Sequence, residues 1–94
     1  MKYKKVFSAL AEKNALEVYM YIYYRCTTGD FASFEEISKE QKMNKSNLRR
    51  ITNRLSRCKL IKSIRPIKEP DGRRRVYIVE NPTLAEIVRQ VFTL

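Results

Sequence analysis

Ninety-four residues suffice for one domain with a modest core but not for a core plus a deep substrate cleft, and the absence of His removes the commonest acid–base and metal chemistry. Two Gly and three Pro in a chain that is 44% apolar and 32% charged exclude a linker or low-complexity segment. The formal charge of +10 is not dispersed: Lys42 to Arg75 holds 13 Lys/Arg against two acids, whereas the remaining residues hold seven against eight.

A solubility role would scatter the excess charge, so its concentration in one third of the chain is the footprint of a polyanionic partner. From the N-terminus, MKYKKVFSALAEK begins with charge as a signal peptide does, but Glu12 and Lys13 interrupt its apolar stretch before an h-region forms. Tyr3, Val6, Phe7 and Leu10 instead recur at helical intervals and predict a short first helix to Ala11. A second helix is expected from about Asn14 to Cys26, apolar nearly all the way round. Such a helix needs cover from its own core and from a second subunit. Its tyrosines read as core and interface, with base stacking as the alternative. The longest apolar run, VYMYIYY, is seven residues against the roughly 20 needed to cross a bilayer, so a cytoplasmic protein without membrane contact is expected.

Gly29 ends the second helix, and Phe31-Ala32 is a candidate for a very short strand. Ser33 and Glu36 have capping-box spacing and start a third helix at about Phe34, with Phe34 and Ile37 facing inward. That helix stops near Glu40, and about three residues later a fourth begins at Asn44 or Lys45, the spacing of a helix-turn-helix. In the fourth, Leu48, Ile51, Leu55 and Cys58 share a stripe roughly 80° wide at 100° per residue. The rest of the helix carries Lys45, Ser46, Asn47, Arg49, Arg50, Asn53, Arg54 and Arg57 with no acid among them. Ordinary solvated helices alternate signs to gain i,i+4 pairs. Unrelieved repulsion here is expected only if phosphates and base edges complete the set, as for a helix in the DNA major groove.

LIKSIRPIKEPDGRRRVYIV then reads as two strands, about 61–68 and 73–79, joined by the turn EPDG. Pro66 cannot donate to a ladder and marks an edge strand or bulge. Arg73, Arg74 and Arg75 follow the tip, where duplex backbone or minor groove could meet them. Finally, Thr83 and Glu86 repeat the capping-box spacing before a last helix whose Leu84, Ile87, Val88 and Val91 share a face. That face is assigned to a two-fold partner together with Val6, Leu10, Tyr19 and Tyr23. Cys26 and Cys58 read as small buried apolar residues, with a disulfide as the alternative; nothing in the sequence assembles a metal site, and no cofactor is expected.

The resulting fold class is mainly α with a small β-hairpin wing, a winged helix-turn-helix in one domain. Residues 1–28 and 82–94 serve core and dimerisation, 34–58 form the helix-turn-helix and 61–79 the wing. NKSNLRRITNRLSRCKLI, residues 44–61, resembles the recognition-helix pattern of the MarR family at Ser46, Leu48, Arg50, Arg54, Leu55, Leu60 and Ile61. EPDGRRRVYIV, residues 69–79, resembles that family's wing at Pro70, Asp71, Arg73 and Arg74. FSALAEKNALEVYMYI is similar to the first helices of ArsR-type regulators. The resemblance implies a homodimer whose paired recognition helices read a pseudo-palindromic operator, with Ser46, Arg50, Arg54 and a wing arginine on DNA and Asp71 orienting that arginine.

Three departures stand out. Lys59 sits where the family has Gly, the long dimerisation helices are missing, and the cysteine pairs of metal-sensing ArsR members are absent, so neither the usual effector pocket nor a metal response is expected. The functional expectation is a transcriptional regulator on double-stranded DNA, a repressor rather than an activator and not an enzyme. A module binding RNA or an acidic protein is the alternative. Membrane binding is disfavoured because it would spend Leu48, Ile51 and Leu55 on lipid.

Overall fold

The computed structural model describes residues 4–64 and 76–92. Its elements run α1 (Lys4–Ala11), α2 (Ala15–Thr27), β1 (Ala32–Ser33), α3 (Phe34–Glu40), α4 (Lys45–Arg57), β2 (Ile61–Ile64), β3 (Val76–Val79) and α5 (Pro82–Phe92). This is the order and class expected from the sequence. The strands form an antiparallel sheet in the order β1-β3-β2, with Ala32 opposite Tyr77, Ile61 opposite Val79 and Ile64 opposite Val76. β2 is therefore an edge, as a strand leading to Pro66 requires. Pro66, the EPDG turn and Arg73 to Arg75 lie outside the described residues.

The helix starts follow from short polar side chains. Ser33 Oγ accepts from the Glu36 amide at 3.1 Å and Asn44 Oδ1 from the Asn47 amide at 3.0 Å, each satisfying a donor that the first turn leaves orphaned. At α5 the expected cap is corrected: Asn81 Oδ1, not Thr83, accepts from the Leu84 amide at 3.1 Å. Pro82 takes the first helical position, where its fixed φ fits and its missing N–H is no loss. Glu86 is drawn away to other partners.

Three helices end in the same way. Past α2, the Gly29 amide bonds the Cys26 carbonyl and the Asp30 amide that of Arg25, with Gly29 left-handed at φ 77°. The same pair of bonds closes α3 at Lys42 and α4 at Lys59, whose φ values are 51° and 60°. Two lysines thus hold the left-handed position that glycine usually fills in this motif. Leu60, one residue on, packs with Leu55 in the core, the apolar contact that accompanies this ending.

The core joins Val18, Tyr19 and Ile22 of α2 to Ile37 of α3, Leu48, Ile51 and Leu55 of α4, and Val88 of α5. Deleting one of the α4 leucines to Ala would cost roughly 2–5 kcal/mol. Thr52 is buried beside them, its hydroxyl donating back to the Arg49 carbonyl at 3.1 Å. Both cysteines are free thiols and only half-buried, less enclosed than the sequence led us to expect. Among the described residues no helix is long and apolar enough to cross a membrane.

Candidate nucleic-acid interface

Because one stripe of α4 is sunk in the core, its other residues must face outward. Lys45, Ser46, Asn47, Arg49, Arg50, Asn53, Arg54 and Arg57 are all exposed. They are not equally unencumbered. Lys45 pairs with Glu35 at 3.2 Å, both well solvated, and Arg49 lies over the Phe34 ring at 5.9 Å from its centroid. The second contact holds the guanidinium against α3 by cation–π attraction.

Arg50 and Arg54 reach across to α1. Both pair with Glu12, Arg54 at 3.0 Å, and Arg54 Nη2 also donates to Ser8 Oγ at 3.1 Å. Glu12 keeps 13% of its side-chain surface exposed, against 60% for Arg50 and 44% for Arg54. The carboxylate therefore lies beneath the two guanidinium groups. Together α1 and α4 flank a cleft of about 760 Å³ lined by Lys4, Lys5, Ser8 and Glu12 on one side and Arg50, Asn53, Arg54, Arg57 and Cys58 on the other. Among the described residues five cations share it with one carboxylate. Lys4, Lys5, Ser8 and Glu12 escaped the sequence reading, although Ser8 follows the lysines of α1 by three to four positions and Glu12, just past the helix end, follows Ser8 by four.

Asp71, Arg73, Arg74 and Arg75 lie outside the described residues, so the wing set keeps only its sequence assignment. Of the residues assigned to a dimer interface, Val6, Leu10, Tyr19 and Val88 are buried in the protomer's own core and have little or no surface to offer. Tyr23 and Leu84 are half-buried, while Ile87 and Val91 stay 52% and 56% exposed.

The tyrosines of α2 turn out to be largely committed within the fold. Tyr19 is fully buried, and that burial, with Tyr23 nearby, pushes its hydroxyl up to about 12. Tyr21 is pushed up to about 12 as well, by burial and by donating to Glu36 at 2.8 Å. Tyr23 donates to Glu86 at 2.6 Å and is raised chiefly by that bond. Tyr24 alone among these four is exposed, which leaves little of the cluster for stacking on bases.

A helix-turn-helix followed by an antiparallel strand pair, with a third short strand closing the sheet and flanking helices completing the core, defines a winged helix domain. Solved structures agree on this fold. The homodimeric winged helix-turn-helix DNA-binding domain Mb0332 from Mycobacterium bovis superimposes with a TM-score of 0.78 at 18% identity, over 98% of this chain and 76% of that one. HlyU from Vibrio cholerae gives 0.75 at 14% identity, over 99% and 94%, and the S. aureus MepR–DNA complex 0.71 at 19%, over 96% and 71%. The chain belongs to the TFIIE alpha subunit family, whose profile matches residues 2–93. No curated protein matches it. The likeness to MarR- and ArsR-type regulators read from residues 44–61, 69–79 and 7–22 is thus a likeness of fold.

Proposed function

We propose that this protein is a sequence-specific double-stranded DNA-binding transcriptional regulator, a homodimer that represses by occupying a pseudo-palindromic operator. The observation that carries the reading is the division of α4: a stripe at 0–1% exposure on one side, and five exposed cations with Ser46, Asn47 and Asn53 on the other. No acid lies on α4 itself, and the two acids that reach its cations, Glu35 and Glu12, leave the face with an excess of positive charge that phosphates would relieve; Arg and Asn at this spacing suit guanine and adenine edges. Arg49, Arg50 and Asn53 are assigned to bases. Lys45, Arg54 and Arg57 are assigned to phosphates, as are Arg73, Arg74 and Arg75, with Asp71 orienting a wing arginine. The DNA in the MepR complex and the homodimer of the Mycobacterium bovis domain support the same reading by analogy of fold.

The test is fluorescence anisotropy on an operator selected from a random duplex pool, at 50–200 mM salt. With about four phosphates neutralised per subunit, log K against log salt falls with a slope near −7 for the dimer. Arg50→Ala relaxes base preference, whereas Arg74→Ala weakens all sequences about equally. A flat salt titration refutes the assignment.

One observation favours a second reading. The family's name designates a subunit, and Phe7, Tyr24 and Phe31 are exposed in addition to Ile87 and Val91, surface that a larger assembly could cover. In that case the basic face would serve RNA or an acidic protein. Competition distinguishes the two, because such a module shows no preference for operator over random duplex.

A further inference from the structure

We infer that Glu12 is a positioning residue for DNA recognition, a built-in counter-anion that fixes Arg50 and Arg54 before the duplex arrives and limits binding to non-operator sequence. This rests on the DNA-binding reading above. The geometry carries it in three steps.

First, Glu12 lies 38 and 42 residues from Arg50 and Arg54 in sequence, so its contacts exist only because α1 packs against α4. Second, one carboxylate serves two arginines and is itself largely covered, while both arginines keep about half their surface open. A guanidinium has five N–H donors in a rigid fork. Spending one or two on Glu12 and Ser8 tethers each fork and leaves its other donors for an external acceptor. Third, among the described residues Glu12 is the one acid lining a cleft that otherwise holds Lys4, Lys5 and Arg57 with the two arginines. It lowers the local charge just where a sequence-blind attraction to phosphate would be strongest.

Pre-ordering reduces the entropy lost when an arginine engages a base, and bidentate contacts discriminate only when the fork is held in place. Freed arginines bind any phosphate they can reach. Glu12 therefore exchanges general affinity for selectivity.

The experiment compares the full chain with Glu12→Gln and Glu17→Gln on operator and random duplex across the same salt range. Glu17 is exposed on α2 and does not line the cleft, so its variant makes the same change in net charge elsewhere. For Glu12→Gln we expect a salt slope steeper by about 2 for the dimer, since each subunit frees about one more cation. Affinity for random duplex should rise severalfold, and the operator-to-random ratio should fall roughly tenfold. Glu17→Gln should keep the wild-type ratio. Ser8→Ala removes Arg54's other acceptor without altering charge, so it should lower the ratio and leave the slope unchanged; it also serves as the test if Glu12→Gln melts early. If Glu12→Gln tracks Glu17→Gln, or Ser8→Ala keeps the wild-type ratio, the inference is overturned while DNA binding stands. A wild-type chain that binds no duplex overturns both.

Discussion

Lys42 and Lys59 occupy left-handed backbone at the ends of α3 and α4, φ 51° and 60°, at a steric cost of roughly 1 kcal/mol each. Both residues follow helix C-termini within two positions, where positive charge is favoured, and glycine would forgo that charge and two cations of the basic segment. Lys59→Gly should therefore raise stability by about 0.5–1 kcal/mol and weaken duplex binding slightly. Urea midpoints and anisotropy check the two halves separately, and an unchanged or lower midpoint removes the strain argument. The special position of Lys59 was visible in sequence because a glycine was expected there. Lys42 had no such flag. The Glu12 contacts were invisible for a different reason: no local pattern marks an ion pair between residues some forty positions apart, and the helical face of α1 shows its polar stripe without showing what lies opposite.

At the scale of elements, period and cap chemistry carried most of the reading. Leu48, Ile51 and Leu55 were identifiable from 100° spacing alone, while Thr52 was missed because its hydroxyl marks it as polar until it is seen bonded to its own helix. The start of α5 shows two cap signals in competition. Thr83 and Glu86 have the right separation, but Asn81-Pro82 sets the first helical residue and leaves Thr83 inside the helix. Asn81→Ala should cost about 1 kcal/mol, with Thr83→Ala close to neutral, as measured by urea denaturation. Glu86, released from capping, joins α5 to α2. The Arg89 guanidinium and then the Tyr23 hydroxyl hold its carboxyl at about 2, below the ordinary 4.5. A carboxyl depressed in the folded state contributes stability above its unfolded pKa and loses it as pH falls through the folded one. The link should thus act in full above about pH 4.5 and fade towards about pH 2. Glu86→Gln should lower the urea midpoint at pH 7 and flatten its decline in that acid window. Parallel curves for the two proteins would show that the link contributes nothing.

For the molecule as a whole, sequence separates apolar from polar faces but does not say whether a given apolar face is covered by the same chain or by another. Val6, Leu10, Tyr19 and Val88 show the difference, since all four looked available to a partner and all four are taken up by the protomer's core. Among its described side chains α5 leaves the apolar Ile87 and Val91 uncovered, one helical turn apart and each more than half exposed. We place the proposed two-fold contact on this pair, which it would hide from water. Ile87→Ser with Val91→Ser removes apolar surface without adding charge, and neither side chain is part of the protomer's buried core. The doubly substituted chain should sediment at half the wild-type mass and keep a similar melting temperature at high dilution, where the wild type is also dissociated. Its DNA binding should fall to that of a single half-site, with a salt slope near −4 in place of −7, because about four phosphates instead of eight are then neutralised in one event. Equal mass and equal slope for the two proteins would move the dimer contact elsewhere. A wild type already at monomer mass, with a slope near −4, would mean that one basic face meets the duplex alone.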